Sequence, residues 1–253
     1  VNPSTCMAGA MCDGLRHRGA RRSSSLSPLG RGVRGQPLSV GINVACSMDT
    51  GRLRDFHFWP FWSNDAGVRD YMRGYGKTVC IGRWDNPNID GCFAIGYAYF
   101  VHVIQSALGT LSKLAMSNCD ADEGGFMLLI ATGVNHATVQ MSNCRTLGQN
   151  QGNVTPNFSN VQVNGNGCHV VMTNMEMRYP QINCVRVQGS GNVVDIAQAT
   201  LGAWNQVNGG YAAIQAATAG NVINVKDSPT ISESPVGSAP TYGAVAGSAI
   251  NHP

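Results

Sequence analysis

Beyond about Val40 the chain alternates large apolar with small polar residues in short stretches, the two-residue period of half-buried strands. The stretches recur. "LAMSNCDADEGG" begins at Leu114, "VQMSNCRTLGQN" at Val139 and "VVMTNMEMRYPQ" at Val170, so the tetrapeptide MSNC and its near copy MTNM return after 25 and then 31 residues. Looser copies flank them: "LRDFHF" from Leu53, "NIDGCF" from Asn88, "VVDIAQ" from Val193 and "VINVKD" from Val222. A second strand-like run follows each copy, as in "FVHVIQS", "FMLLIATG", "NVQVNG", "CVRVQGSG" and "YAAIQAA". Glycine or asparagine marks the turns in "GNGCHV", "GSGNVV" and "TAGNVI". Copies spaced 23 to 35 residues apart each predict two or three strands and no helix, and so small a unit closes no core by itself.

A repeat of this kind predicts an all-β, single-domain parallel β-helix over residues 41–230, in which equivalent positions of successive coils stack at roughly 4.8 Å. Asn118, Asn143 and Asn174 then form an amide ladder at a bend. Cys119, Cys144 and Met175 stack inside, with Cys92 one coil earlier, as small buried hydrophobes. Cross-coil disulfides are the rival reading of the cysteines. Residues 1–40 read as a flexible leader and residues 231–253 as an extended or capping tail.

Composition sharpens this picture without redirecting it. Gly is abundant at 31 of 253 residues and charged residues make up 12%, which suits a turn-rich β protein. The net charge of +3 is uneven: residues 1–40 hold six arginines against Asp13, and the remaining 213 residues have 11 basic and 13 acidic side chains. A uniformly basic nucleic-acid surface is therefore not predicted. The arginine-rich leader reads as solvated disorder, with an arm for RNA or a membrane surface as its alternative. No run of about 18 apolar residues predicts a membrane span, and the N-terminal stretch has no apolar core of a secretory signal. The nine cysteines contain no C-x-x-C pair, so no zinc knuckle is signalled.

The coil length, the asparagine stacking and the Gly-Asn turns make residues 41–230 resemble the right-handed parallel β-helix superfamily of pectate lyases, polygalacturonases and phage tailspikes. The resemblance implies an architecture, and it favours an extracellular setting. The paired aspartates, His-Gly and Arg-Ile-Lys of polygalacturonases and the Trp-x-Asp-His of pectate lyases are absent, so no catalytic residue carries over. Through the resemblance, a polysaccharide hydrolase or lyase working on the outer strand face is the first expectation. A non-catalytic carbohydrate-binding, adhesin or tailspike-like β-helix, homotrimeric if phage-derived, is the second. A Ca²⁺- or carboxylate-assisted hydrolase of a small ester or lactone is the third.

Glycosidic cleavage needs an acid and a base, and many lyases hold Ca²⁺ on acid oxygens. "CDADEGG" is the densest acidic stretch, and strand alternation turns Asp120 and Asp122 to one face, with Glu123 beside them as a third metal ligand. Alignment of the copies places Asp120, Arg145 and Glu176 in one outward column, and Asp122, Leu147 and Arg178 in a second. Read as a catalytic groove, Arg145 pins a substrate carboxylate while Asp120, Asp122 or Glu176 handles protons, with Arg178 in substrate binding. Read as structure, the column is a ladder of ion pairs. No cofactor other than Ca²⁺ is expected.

Aromatic residues suggest a platform. "DFHFWPFWSND" and the following Trp84 offer Trp59, Trp62 and Trp84 as flat faces for sugar rings, joined by His57, Asp85 and Asp90, or alternatively as packing for the first coils. His102, a polar ring in the apolar run "YFVHVIQ", must find a partner or face a cleft. The longest insertion, from Arg145 to Asn160, is expected as a polar loop beside the charged column.

Overall fold

The structure, a computed structural model, describes residues 29–148 and 157–253. The chain winds into a mostly β parallel solenoid of about eight turns, at about 27 residues per turn. Its strands stack in three columns, every pairing parallel. The first contains Lys113–Ser117, Thr138–Ser142 and the opening halves of His169–Arg178 and Val193–Gly202. The second contains Asp120–Gly124, Arg145–Gly148 and the closing halves of those two long strands. The third runs from Lys77–Asp90 through Tyr99–Val103, Phe126–Ile130, Val161–Val163, Val185–Val187 and Ile214–Ala216.

Alternation along each strand fills the interior in layers. Leu114 and Met116 lie under Val139 and Met141, then Val170 and Met172, then Val194 and Ile196, and all eight are buried. The second column contributes Cys92, Cys119, Cys144 and Met175, each at most 2% exposed, which is the interior sulfur stack the repeats predict. Those three cysteines are free, as are Cys80, Cys168 and Cys184, whereas Cys46 is disulfide-bonded. Contact with the Cys144 and Cys92 thiols, and then burial, hold the Cys119 thiol far above its usual range, so it stays protonated and acts as a hydrophobe.

The bend between the first two columns carries the asparagine ladder. Asn174 Nδ2 donates to Asn143 Oδ1 at 2.8 Å, Asn143 Nδ2 to Asn118 Oδ1 at 3.4 Å, and Asn118 Nδ2 to Asp90 Oδ1 at 3.0 Å. All three asparagines are left-handed, with φ of 54°, 52° and 53°, and Asp55, Gly91 and Gln198 hold the same bend in neighbouring coils. Asparagine is one of the few residues that tolerates this region, so the repeat spells a backbone requirement as well as a stack. A second bend uses Gly167, Gly191 and Gly220, with φ of 61°, 67° and 81°. Behind it, buried Asn192 donates its side-chain amide to Asn221 Oδ1 at 3.1 Å.

Three boundaries differ from the sequence expectation. Helix Ala66–Tyr75 interrupts an early coil where only strands were expected. Its cause is local: Asp65 caps it, accepting from Gly67 N at 2.7 Å and Val68 N at 3.3 Å, and Met72 buries one turn beyond Val68. The solenoid also begins before residue 41, since Leu29–Arg31 pairs with Arg52–Arg54 and Arg34–Gly35 with His57–Phe58. It continues past residue 230, where Thr230–Glu233, Tyr242–Ala244 and Ala249–Asn251 add further rungs. Backbone pairing is indifferent to side-chain type, so polar terminal stretches join the ladder without an apolar signature. Residues 1–28 of the expected leader and 149–156 of the expected loop lie outside the described residues.

Replacing Asn143 tests the bend. Asn143→Ala removes both amide contacts and places a Cβ-restricted residue at positive φ, so chemical denaturation should report a loss of roughly 1–3 kcal/mol. Asn143→Gly, which accepts the bend, should lose less. Equal stability of both variants and the parent contradicts the ladder's role.

Candidate functional site

The outward face of the second column is one continuous strip. Cα register runs from His57 to Phe93, Asp120, Arg145 and Glu176, one residue per coil. The charged column expected from the repeats is therefore present, in the predicted order. Arg145 Nε donates to Asp120 Oδ2 at 3.2 Å, and Nη2 of the same guanidinium reaches that oxygen too. Asp120 Oδ1 is buried without a hydrogen-bond partner. The carboxylate raises the Arg145 pKa through this hydrogen bond and its charge.

The companion column is broken. Register slips by one residue between Thr146 and Gly148, because the Asp120 strand carries a bulge there with Glu123 at φ 44°. Leu147 still faces Arg178, but Asp122 and Glu123 share the space opposite it. Glu123 turns away to Arg73, 3.0 Å from its Nη2. Arg178 pairs with Glu176 at 3.4 Å and with Glu233, while Tyr179 donates its hydroxyl proton to Glu233 Oε1 at 2.8 Å. Among the described residues Asp122 has no ion-pair partner. Burial lifts its carboxyl above the ordinary value against the pull of the Glu123 N–H, and the charges of Asp120 and Glu123 add to the rise. Among the described residues no group of three His, Cys, Asp or Glu is placed to hold a metal ion.

The aromatic residues divide. Trp62 is 65% exposed and Phe61 beside it 56%, while Trp59 is half-buried with the His57 ring edge-on at 4.2 Å. Phe93 meets the other side of His57 at 4.6 Å. Burial and then the charge of Arg34 hold the His57 pKa below its usual value, so it is neutral at pH 7. Trp84 corrects the platform reading. At 0% exposure it fills the interior, with no face for a ligand. It lies on the inward phase of a strand, where a large apolar ring is worth more buried than displayed. Asp85 is taken by Arg83 at 2.7 Å. His102 lies outside the coil, stacked on Tyr99 at 4.8 Å, and burial pushes its pKa down to about 4.

Reading the repeats for acids overlooks a second group, on the third column. Here Gln162, Arg186 and Gln215 occupy successive outward positions. The signal stands in the sequence as "VQV", "VRV" and "IQA", whose central residues all point outward once the flanking apolar residues are buried.

Comparison of the chain with protein-family models, with curated proteins and with solved structures finds no match in any of the three.

Asp90, at the foot of the amide ladder, gives a pH test. Hydrogen bonds from Ser117 at 2.7 Å and from Asn118 hold its pKa below the ordinary aspartate value. The stabilisation is thus fully present above the unfolded value of about 3.9 and is lost as pH falls through the lower folded value. Asp90→Asn should flatten this acid limb in denaturation measured between pH 6 and pH 2.5. An unchanged limb contradicts the assignment.

Proposed function

We propose that the protein is a glycan-binding parallel β-solenoid that holds a saccharide along the outer strip of its second column. The observation that carries this reading is the shared register of the aromatic group His57 and Phe93 with Asp120, Arg145 and Glu176. Five coils span about 19 Å at the inter-strand spacing, a length suited to several sugar rings. The exposed Trp62 and half-buried Trp59 offer apolar faces at one end, and the charged residues offer donors and acceptors along the rest. Arginine contacts engage Asp120, Glu123 and Glu176. Carboxylates held in this way are better suited to accepting hydroxyl protons in hydrogen bonds than to moving protons in a reaction.

A hydrolase or lyase is the second reading, favoured by Asp122. A carboxyl raised above its ordinary value, as Asp122 is beside the arginine-bound Asp120, suits a general acid. Alternation on the Asp120–Gly124 strand turns the Asp120 and Asp122 side chains to the same face, where two carboxyl groups could flank one bond.

A panel of neutral and acidic polysaccharides, scored for retention and for release of reducing ends with and without EDTA, separates the readings. Binding should occur without release, and Trp62→Ala and Arg145→Ala should each weaken it on the order of tenfold. Release of reducing ends that Asp122→Asn abolishes establishes the catalytic reading instead. Retention of no polysaccharide overturns both.

A further inference from the structure

Arg186 stands on the outer face of the third column, half-buried, and its partners among the described residues are the neutral Asn183, Gln188 and Tyr211. Asn183, fully buried, accepts from Arg186 Nη1 at 3.2 Å through its Oδ1. The Gln188 amide, turned with its oxygen toward the guanidinium, accepts from Nε at 3.1 Å and Nη2 at 2.9 Å and donates to Asn164 Oδ1 at 3.0 Å. The Tyr211 ring lies under the guanidinium, 5.8 Å from centroid to Cζ. Among the described residues no carboxylate forms an ion pair with Arg186; half-buried Arg54 and Arg69 share that state, whereas Arg73, Arg83 and Arg178 each have one.

This arrangement is costly for a merely structural arginine. Burial holds the Arg186 pKa below its ordinary value, and the face of the Tyr211 ring favours the charge. A guanidinium carries five N–H donors in a fixed fork. Three are engaged by Asn183 and Gln188, which fix the plane of the group, and two stay available at its outer end. The neighbouring outward positions are amides as well. Gln215 accepts from Asn183 Nδ2 at 3.0 Å, and Gln162, only 9% exposed, lies against the Gln188 amide. A fixed guanidinium, an aromatic face and a surround of amides, with no counter-charge, match an oxyanion carried on a polar ring: the fork takes the anion and the amides take hydroxyl groups.

We propose that the third-column face around Arg186 is a second binding site, specific for the carboxylate or sulfate of an acidic saccharide, with Arg186 as the anion-binding residue and Tyr211 and Gln215 as flanking contacts. The saccharide part rests on the glycan reading above, whereas the oxyanion part stands on the geometry of Arg186 alone. The site lies on a different face from the Asp120–Arg145 strip, so the two are separable by substitution.

Titration calorimetry of the full chain with glucuronate and galacturonate oligosaccharides, their neutral glucose and galactose counterparts, and inorganic sulfate tests it. An acidic oligosaccharide should bind at least tenfold more tightly than its neutral counterpart and should weaken as salt rises. Arg186→Gln should remove that preference, Arg186→Lys should keep part of it, and Lys113→Gln, which removes an exposed positive charge from the first column, should leave it unchanged. The graded lysine result guards against loss of the fold as the explanation. Arg186-dependent binding of sulfate with no response to any saccharide upholds the oxyanion site and tells against the glycan reading. Equal binding of acidic and neutral probes, a preference that survives Arg186→Gln, or no binding of any probe overturns the proposal.

Discussion

Everything in this fold depends on backbone hydrogen bonding between one coil and the next at a fixed register. Because each strand pairs in parallel with its counterparts above and below, a residue's neighbours across the ladder are the equivalent residues of adjacent coils. Like therefore stacks on like, and each column imposes its own chemistry. Inside, a column must be apolar throughout, which is why Cys92, Cys119, Cys144 and Met175 can exchange with one another but not with a charge. At the bend, a column must tolerate positive φ, so asparagine, aspartate, glycine and glutamine share it. Outside, like charges would repel at close range, and Asp120, Arg145 and Glu176 alternate in sign.

The same rule explains what could be read from the sequence. Positions fixed by stacking were legible, because a column in space is a recurrence in the chain. The asparagine ladder, the sulfur stack and the order of the charged column all follow from aligning MSNC with MTNM. Positions fixed by non-repeating contacts were not. Helix Ala66–Tyr75 depends on a cap at Asp65 and on Val68 and Met72 spaced one turn apart, a signal of one helical face within a chain dominated by the strand period. The burial of Trp84 depends on the phase of a single strand, and the slip that separates Asp122 from Leu147 depends on a bulge that leaves no compositional mark. Arg186 was hidden for a different reason: its partners are amides, and a search for acids passes over them.

A rigid comb of coils also explains why chemistry, if present, must sit outside. The interior of the described residues is filled by apolar side chains, and buried polar groups such as Asn192 and Asn221 are committed to backbone and ladder hydrogen bonds. The outer faces offer the solvent-accessible polar groups, and they differ from each other. On the second column opposite charges largely satisfy one another, giving a polar wall with an aromatic end. On the third, Arg186 holds its positive charge among neutral amides. On the proposed glycan reading, two such faces with different electrostatics suit an extended ligand whose sugar units are not all alike.

Cysteine cross-linking tests register most directly. Ala115 and Gln140 are Cα partners on outward positions of adjacent coils, within reach of a disulfide at roughly 4.8 Å. Gln140 and Ser117, two residues out of step, are separated by about 8 Å, too far to bridge. Mild oxidation of Ala115→Cys/Gln140→Cys should give the intramolecular disulfide by peptide mass mapping, while Ser117→Cys/Gln140→Cys should stay reduced. Bridging of the second pair in preference to the first would contradict in-register stacking.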